Sequence, residues 1–435
     1  MDPESSKPHS IEITAKVIKP LLTVPNPRTS QQAVPVRTSP TQSEYIKLLH
    51  AIEQLGRDLK PFYTGNKLYQ SRKMRNLASF STMDTFNTEL PADSVEWCPI
   101  EPFQNVFACG TYKLIEDEEK DIKEQNKTCE RIGRIYLFCV VGQTDNNENK
   151  KLLLLQQLES PGVLDMKWTE CKNSKQILLA VATSIGDLQL FQLKVIEDAT
   201  KLVLIAQEKV CDGLALSLDW SIGTSLSSSH QTIPHIAVSD SQGQISHFTY
   251  HCDTNNLTSN FTCRAHKFEA WIVAFDYWDE NVFYSGGDDH TFQSFDARIG
   301  PKSVMCNKFH NAGVTSIQSN VGKPFVLATG SYDEFLRLWD KRNLRAPLSR
   351  CCINSGIWRL KWDFVTHNFL LAACMYDGFK IVDCSHETME PCIISNYREH
   401  DSLAYGCDWS FLPKKDLLDL DIHMGDALVA SIRSK

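Results

Sequence analysis

The sequence predicts an all-β propeller of seven blades. The first observation is a pair of matching segments, 266–296 and 310–340, which lie 44 residues apart. In both segments an opening histidine precedes a turn aspartate, Asp289 or Asp333, by 23 residues, and a closing aspartate follows 7 residues later. A repeat of about 40–45 residues with a glycine-containing turn has the length of one four-stranded propeller blade.

The second observation is a strand-like segment that recurs along the chain and usually ends in an aromatic residue. Its copies are Val95–Trp97, Met166–Trp168, Leu218–Trp220, Phe275–Trp278, Leu360–Trp362 and Cys407–Trp409, with Ile317–Ser319 at the same place in one further repeat. Seven copies predict seven innermost strands and therefore seven blades. Beyond Met83 the apolar residues alternate with period two, and no long helical pattern interrupts them. Because one repeat closes on Trp339-Asp340, the pattern is that of WD-repeat propellers.

Four residues occupy the structural positions of this repeat. We expect His266 to hydrogen-bond with Asp289, and His310 with Asp333, inside blades that are otherwise apolar. A histidine beside a carboxylate can also act as a general base, which is the alternative interpretation.

The last blade is expected to be truncated. Ala427–Ser431 predicts its second strand, and Phe86–Leu90 is placed to supply its outer strand. No segment is identified for the third strand, so the closing blade is expected to expose unpaired strand edges.

The N-terminal part of the chain differs from the rest. Residues 1–42 are rich in Pro, Ser, Thr and Gln and are predicted to be disordered. Residues 43–82 carry apolar residues at helical spacing up to Pro61, which predicts a helical segment that binds a partner protein or associates with itself. The propeller domain is assigned to residues 83–435.

Composition narrows the function classes. A formal net charge of −8 argues against direct nucleic-acid binding, and no apolar run is long enough for a membrane span. The N-terminus does not resemble a signal peptide, so a cytoplasmic protein with no membrane partner is expected. The fifteen cysteines lack paired Cys-x-x-Cys spacing, which predicts reduced thiols, no metal site and no cofactor.

From Met83 onward the chain resembles the diphthine methylesterases of diphthamide biosynthesis, which are WD-repeat proteins. The resemblance is carried by Asp93–Pro99, Ala108–Tyr112, Phe268–Ile272, Tyr284–Asp289, Ala328–Glu334 and Leu371–Met375. It implies hydrolysis of the methyl ester on the modified histidine of elongation factor 2, before the final amidation to diphthamide. A non-catalytic scaffold for protein–protein interaction is the alternative, because a propeller fold does not by itself imply catalysis.

A different resemblance covers residues 43–78. The segments Ser43–Leu49, Glu53–Gly56 and Lys60–Gly65 are similar to the cyclin-dependent-kinase-2-associated proteins, which are small helical subunits of chromatin complexes. This resemblance implies that the N-terminal segment draws the protein toward the nucleus.

No catalytic signature is present, since the chain has neither a Gly-x-Ser-x-Gly elbow nor a His-Glu-x-x-His motif. The sequence does not identify the catalytic residues, and the candidates are His400, Ser402, Arg359 and Glu269. His400 and Ser402 are two residues apart, which allows a Ser/His pair, whereas the favoured interpretation is that His400 only occupies the structural histidine position of the repeat. Arg359 is a candidate to face the ester carbonyl, and Glu269 to orient a water or a cation.

A set of aromatic residues gives a clearer signal. Trp271 lies five residues after one repeat histidine and Tyr405 five after another, Trp358 aligns with them, and Thr315 takes this place in the remaining repeat. We expect these aromatics near the channel mouth, where they would bind a trimethylammonium group at about 0.5–2 kcal/mol per contact. The alternative is that they only pack between neighbouring blades.

Overall fold

The computed structural model describes nine ranges of the chain. These are residues 10–17, 80–115, 130–142, 151–171, 174–221, 234–385, 390–399, 402–420 and 426–434. They contain 29 β-strands and, within these ranges, a single short helix, Lys414–Asp419 (α1). The prediction of an all-β propeller is confirmed.

The strands belong to seven antiparallel sheets. The first two strands along the chain are β1 (Ser10–Val17) and β2 (Phe80–Asn87), which belong to the closing sheet described below. The first sheet contains β3 (Ala92–Trp97), β4 (Val106–Thr111), β5 (Lys113–Leu114), β6 (Arg131–Val140) and β7 (Leu152–Pro161). The second contains β8 (Val163–Cys171), β9 (Gln176–Thr183), β10 (Asp187–Ile196) and β11 (Ala199–Lys209). The third contains β12 (Ala215–Trp220), β13 (His235–Asp240), β14 (Gln244–His251) and β15 (Asn256–Arg264).

The remaining four sheets follow the same pattern. The fourth contains β16 (Ala270–Asp276), β17 (Asp279–Gly287), β18 (Phe292–Asp296) and β19 (Ser303–Asn307). The fifth contains β20 (Val314–Ser319), β21 (Val326–Ser331), β22 (Phe335–Asp340) and β23 (Ser349–Cys352). The sixth contains β24 (Ile357–Trp362), β25 (Phe369–Cys374), β26 (Phe379–Asp383) and β27 (Cys392–Tyr397). The closing sheet contains β28 (Leu403–Trp409) and β29 (Asp426–Ser434), which join β1 and β2.

The innermost strands are those that carry the recurring segment of the sequence. β3, β8, β12, β16, β20, β24 and β28 each contact the next in this order, and β28 contacts β3. Four of their tryptophans link neighbouring sheets, because each indole N–H donates to a backbone carbonyl of the preceding innermost strand. The pairs are Trp168 to Glu96, Trp220 to Lys167, Trp362 to Gln318 and Trp409 to Lys361, at 2.9–3.4 Å. This bond gives a physical reason for the recurring aromatic residue.

The closing sheet corrects the prediction of a truncated last blade. Its strand order is β28, β29, β1 and β2, so Ser10–Val17 supplies the strand for which no source was identified. β1 pairs antiparallel with β29 on one side and with β2 on the other. The sequence prediction failed because the pairing joins segments more than 400 residues apart, and no local pattern reports such a contact.

The prediction of disorder over residues 1–42 was therefore wrong for 10–17. The other residues of 1–42 lie outside the described ranges, as do 43–79 of the predicted helical segment. The last three residues of that segment, 80–82, belong to β2. Partner binding by the helical segment stays a prediction.

The cysteines also depart from the prediction of reduced thiols. Cys171 at the end of β8 and Cys252 after β14 form a disulfide that links the second and third sheets, with their Cα atoms 6.8 Å apart. The two residues are separated by 81 positions, so no short Cys-x-x-Cys spacing in the sequence predicts the pair. Within the described ranges the other cysteines are free.

The two repeat histidines are buried and fully engaged. His310 Nδ1 lies 2.7 Å from the Arg337 guanidinium and 3.2 Å from Asp333, and its Nε2 lies 2.8 Å from Thr329 Oγ1. His266 Nδ1 lies 2.9 Å from the Asp289 carboxylate, and its Nε2 lies 2.8 Å from the Ser285 hydroxyl. Neither imidazole has a free nitrogen for substrate chemistry.

Asp333→Ala is expected to lower the free energy of unfolding by about 3 kcal/mol, because it leaves the buried Arg337 guanidinium without its carboxylate at 2.8 Å. Burial alone would raise the pKa of Asp333, but His310 and Arg337 outweigh it and hold the pKa at about 2. The stabilising contribution of the Asp333 carboxylate is therefore present above pH 3.8, which is the usual pKa of the group, and is lost as the pH falls toward 2.

Urea unfolding at pH 7 and pH 3 measures this effect. The matched control is Asp340→Ala, which breaks an exposed pair with Arg342 and is expected to cost less than about 1 kcal/mol. Equal costs for the two variants would contradict the structural role of Asp333.

Candidate functional site

Each innermost strand carries a β-bulge at the same place, just after its beginning. Six strands leave their second residue out of the pairing with the next strand, and β28 leaves out two residues. The unpaired residues are Asp93, Leu164, Leu216, Trp271, Thr315, Trp358, and Tyr405 with Gly406. Bulges turn a side chain away from the regular pleat and are common beside binding sites. We call this set the bulge ring.

The three aromatics predicted from the sequence all belong to the bulge ring, and the structure brings them together. The ring centroids of Trp271 and Trp358 are 5.7 Å apart, and those of Trp358 and Tyr405 are 5.1 Å apart. Trp271 and Trp358 come from the fourth and sixth sheets, and they meet because the fifth sheet places the small Thr315 between them. The Thr315 hydroxyl donates to the Ile357 carbonyl.

Tyr332 completes this group, although the sequence analysis missed it. It lies in the turn between β21 and β22, and its ring is 6.4 Å from Trp271 and 6.2 Å from Trp358. Gly313 makes room for it, since a Cβ there would lie 3.0 Å from the Tyr332 ring. Trp271, Tyr332, Trp358 and Tyr405 are the aromatic cluster. Tyr332 could not be found by counting along the innermost strands because it is not on one.

Asp93 is a second member of the site that the sequence analysis missed. It occupies the bulge of β3, which contacts the Tyr405 strand β28. Burial raises the pKa of its carboxyl to about 7, with the positive charge of Arg359 opposing the rise and the negative charge of Asp165 adding to it. The sequence does carry a pattern that identifies this position. Asp93 precedes Trp97 by four positions, just as Trp358 precedes the tryptophan that ends β24.

Charged side chains of three innermost strands, β3, β8 and β24, form a connected network. Lys361 donates to both oxygens of the Glu96 carboxylate, at 2.7 and 2.6 Å, and Lys167 donates to one of them at 2.7 Å. Lys167 and Arg359 both approach Asp165, at 2.9 and 3.0 Å. Burial would raise the pKa of Asp165, but these two cations outweigh it and hold the pKa at about 2. We call these five residues the charged floor.

Two further buried carboxyls join neighbouring sheets. Asp219 accepts the backbone N–H of Phe275 at 2.7 Å, and Asp408 accepts that of Trp97 at 2.9 Å. Burial raises the pKa of both carboxyls to about 7, and the positive charges of Lys167 at Asp219 and of Lys361 at Asp408 oppose the rise. Their hydrogen bonds to the backbone indicate a role in holding the sheets together.

Two of the catalytic candidates from the sequence, Arg359 and Glu269, lie beside residues of this site. Arg359 directly follows the bulged Trp358 along β24, and its Nη2 contacts Asp165 at 3.0 Å. The Glu269 side chain is partly buried just before β16, and burial followed by the negative charge of Asp288 raises its pKa. Asp288 in turn accepts the Trp271 indole N–H at 3.1 Å. Glu269 therefore belongs to the edge of the aromatic cluster.

Of the candidate pair Ser402 and His400, the structure describes only Ser402. Ser402 is partly buried just before β28, whereas His400 lies outside the described residues. Its role stays a prediction.

The site offers donors and acceptors rather than metal ligands. Within the part of the chain that the structure describes, no group of three His, Cys, Asp or Glu side chains is arranged to hold a metal ion. The buried indole N–H of Trp358 has no hydrogen-bond partner among the described residues. In the same ranges, no helix has the length and apolar character of a membrane-spanning segment.

Comparison with known proteins gives several long matches. The chain is 40% identical over 337 residues to the mouse protein named diphthine methyltransferase, covering 76% of this chain and 69% of the mouse protein. It is 40% identical over 345 residues to the human protein of that name, covering 75% of it. A Dictyostelium discoideum homolog is 35% identical over 348 residues, with 89% of it covered.

A solved structure shares the fold. A chain in a crystal structure of the mitotic checkpoint complex superposes with a TM-score of 0.52 at 15% identity, covering 78% of this chain and 86% of that one. At this identity the similarity shows the propeller fold alone. No family model matches the chain.

Proposed function

The chain belongs to the family of proteins named diphthine methyltransferase, which modify diphthine in diphthamide biosynthesis, and we propose that it removes a methyl group by ester hydrolysis. The proposed substrate is the methyl ester on the modified histidine of elongation factor 2. In this reaction the acyl group of the methyl ester is transferred to water, and the products are a carboxylate and methanol. We place the reaction in the cytoplasm.

The observation that carries the proposal is the composition of the bulge ring. The aromatic cluster presents four adjacent rings at the channel mouth, and the carboxyl of Asp93 lies on the strand beside Tyr405. A quaternary ammonium group favours such aromatic faces, and it gains more when it leaves water. The cluster therefore suits the trimethylammonium group of diphthine, which would hold the neighbouring ester in the channel.

Two hydrogen-bond donors on β24 suit ester chemistry. An ester hydrolase needs a proton acceptor and donors for the negative charge that develops on the carbonyl oxygen. The unpartnered Trp358 indole N–H and the Arg359 guanidinium lie on adjacent residues of β24. Both are hydrogen-bond donors, and neither requires a metal or cofactor.

We also propose that the seven sheets act as the seven blades of one closed ring. The cyclic order of contacts between innermost strands supports this, and so does the place of β1 in the closing sheet. A closed ring leaves one mouth surrounded by all seven bulges, so the aromatic cluster and Asp93 would face the same substrate.

Methanol release tests the proposed reaction class. Methylated elongation factor 2 incubated with the protein in ¹⁸O-labelled water, without a methyl donor, is expected to release methanol and to gain one ¹⁸O in the product carboxylate. Label in the carboxylate reports cleavage between the acyl carbon and the ester oxygen, as hydrolysis requires. A need for a methyl donor, with methyl added to the substrate, would instead establish a transferase. No change under either condition would favour the scaffold interpretation.

A further inference from the structure

We propose that Asp93 is the general base of the ester hydrolysis, accepting a proton from the water that attacks the ester carbonyl. This inference rests on the proposed function and assigns the catalytic residue that the sequence left open. Asp93 comes from the first sheet, far along the chain from the aromatic cluster, and only the closing of the propeller brings the two together.

Asp93 differs from the other buried carboxyls of the channel. Glu96 and Asp165 are bound by the cations of the charged floor, and Asp219 and Asp408 each accept a backbone N–H. Asp93 is 7% exposed, yet the structure records no hydrogen bond to its carboxylate from any described residue. A buried carboxylate without a partner is costly unless a ligand or water satisfies it. Its free lone pairs are what a base needs to bind a water.

The position of Asp93 fits the substrate. It occupies the same bulge position as Trp271 and Trp358, and its charge, after burial, raises the pKa of the neighbouring Tyr405 hydroxyl. When the trimethylammonium group binds the aromatic cluster, the ester on the same modified side chain would therefore point toward Asp93. Arg359 on β24 carries a positive charge that acts on Asp93 and can face the carbonyl oxygen.

The step balances without a cofactor. The water oxygen bonds to the ester carbonyl carbon while one water proton moves to Asp93, giving a tetrahedral intermediate. The carbon–oxygen bond to the methoxy group then breaks, and the departing oxygen takes the proton from Asp93 and leaves as methanol. The acid product ionises to a carboxylate and releases one proton to solvent, and Asp93 returns to its starting charge.

The groups that face Asp93 set the pH at which it can act. Arg359 lowers its pKa, Asp165 raises it, Tyr405 is a neutral neighbour on β28, and Cys109 on β4 is a thiol whose own pKa is raised first by burial and then by the Asp93 charge. The balance gives a pKa of about 7. A base acts when deprotonated, so turnover is expected to rise with pH up to about 7 and then reach a plateau.

Asp93→Asn tests the inference. We expect kcat to fall by about 100-fold or more, the pH dependence to flatten and KM to stay unchanged. Asp93→Glu, which keeps a carboxylate, is expected to recover part of kcat together with the rise near neutral pH. Because burial of the Asp93 charge is unfavourable at neutral pH, Asp93→Asn is expected to keep or raise the melting temperature.

Asp219→Asn is the matched control. Asp219 is also buried with a raised pKa, but its amide replacement can still accept the Phe275 N–H, so the pH profile is expected to be unchanged. An active Asp93→Asn protein with the wild-type pH profile would overturn the inference while leaving ester hydrolysis intact. A higher KM with unchanged kcat would overturn it in favour of a cation-binding role. An inactive wild-type protein would instead remove the proposed function itself.

Discussion

Replacing both Trp271 and Trp358 by leucine is expected to lower kcat/KM for methylated elongation factor 2 by about 100-fold. Leucine fills much of the space but has no aromatic face, so each substitution removes one contact with the trimethylammonium group. A contact worth about 1.4 kcal/mol corresponds to about tenfold in affinity. The circular dichroism spectrum is expected to stay that of the wild-type propeller, since Trp271 and Trp358 are bulged residues that take no part in the pairing of β16 and β24 with the next strand.

Phenylalanine at the same two positions is the matched control. It restores an aromatic face, and most of the activity is expected to return. Tetramethylammonium is a direct probe: it should quench the tryptophan fluorescence of the wild-type protein and inhibit turnover, whereas a neutral tert-butyl alcohol should do neither. Unchanged turnover in the double leucine variant would mean that the two indoles only pack between sheets.

Deleting residues 1–17 is expected to prevent stable folding of the propeller. β1 pairs with seven residues of β29 and seven of β2, and its loss leaves both strands with unpaired backbone groups. At about 1 kcal/mol for each net hydrogen bond, this loss approaches the whole stability of a typical domain, about 5–15 kcal/mol. Thermal unfolding and size-exclusion chromatography should show a much lower melting temperature and aggregation.

Two further experiments separate strand pairing from a general effect of the deletion. A peptide with the sequence of residues 10–17, added to the deleted protein, is expected to recover stability by completing the sheet. Thr14→Pro, in the middle of β1, should reproduce part of the loss, whereas Ser303→Pro at the first residue of the outer strand β19 should be tolerated. A deleted protein that stays monomeric with the wild-type melting temperature would show that β1 does not complete the sheet.

The propeller could be predicted from the sequence because its signals are local. The His-to-Asp spacing of each repeat lies within one sheet, and the recurring tryptophans report the bonds between adjacent innermost strands. The source of the third strand in the closing sheet could not be predicted, because Ser10–Val17 gains its partners only from segments far away along the chain. The Cys171–Cys252 disulfide was missed for the same reason.

The candidate site was predicted in part. Trp271, Trp358 and Tyr405 were found because the repeat register places them at equivalent positions, and the structure groups their rings. Asp93 occupies the same register, but the sequence alone gave no reason to connect a carboxylate of the first sheet with these aromatics. Tyr332 lies on a turn, where register carries no information about which way a side chain points.

The mass of methylated elongation factor 2 after incubation with the full chain tests the central claim most directly. Ester hydrolysis predicts that the modified histidine loses the mass of one CH₂ group, in the absence of any methyl donor. The Asp93→Asn protein, under the same conditions, should leave the mass unchanged over the time in which the wild type completes the reaction. A wild-type protein that leaves the methylated histidine unchanged, or that adds a methyl group when a donor is supplied, would contradict the assignment as an esterase.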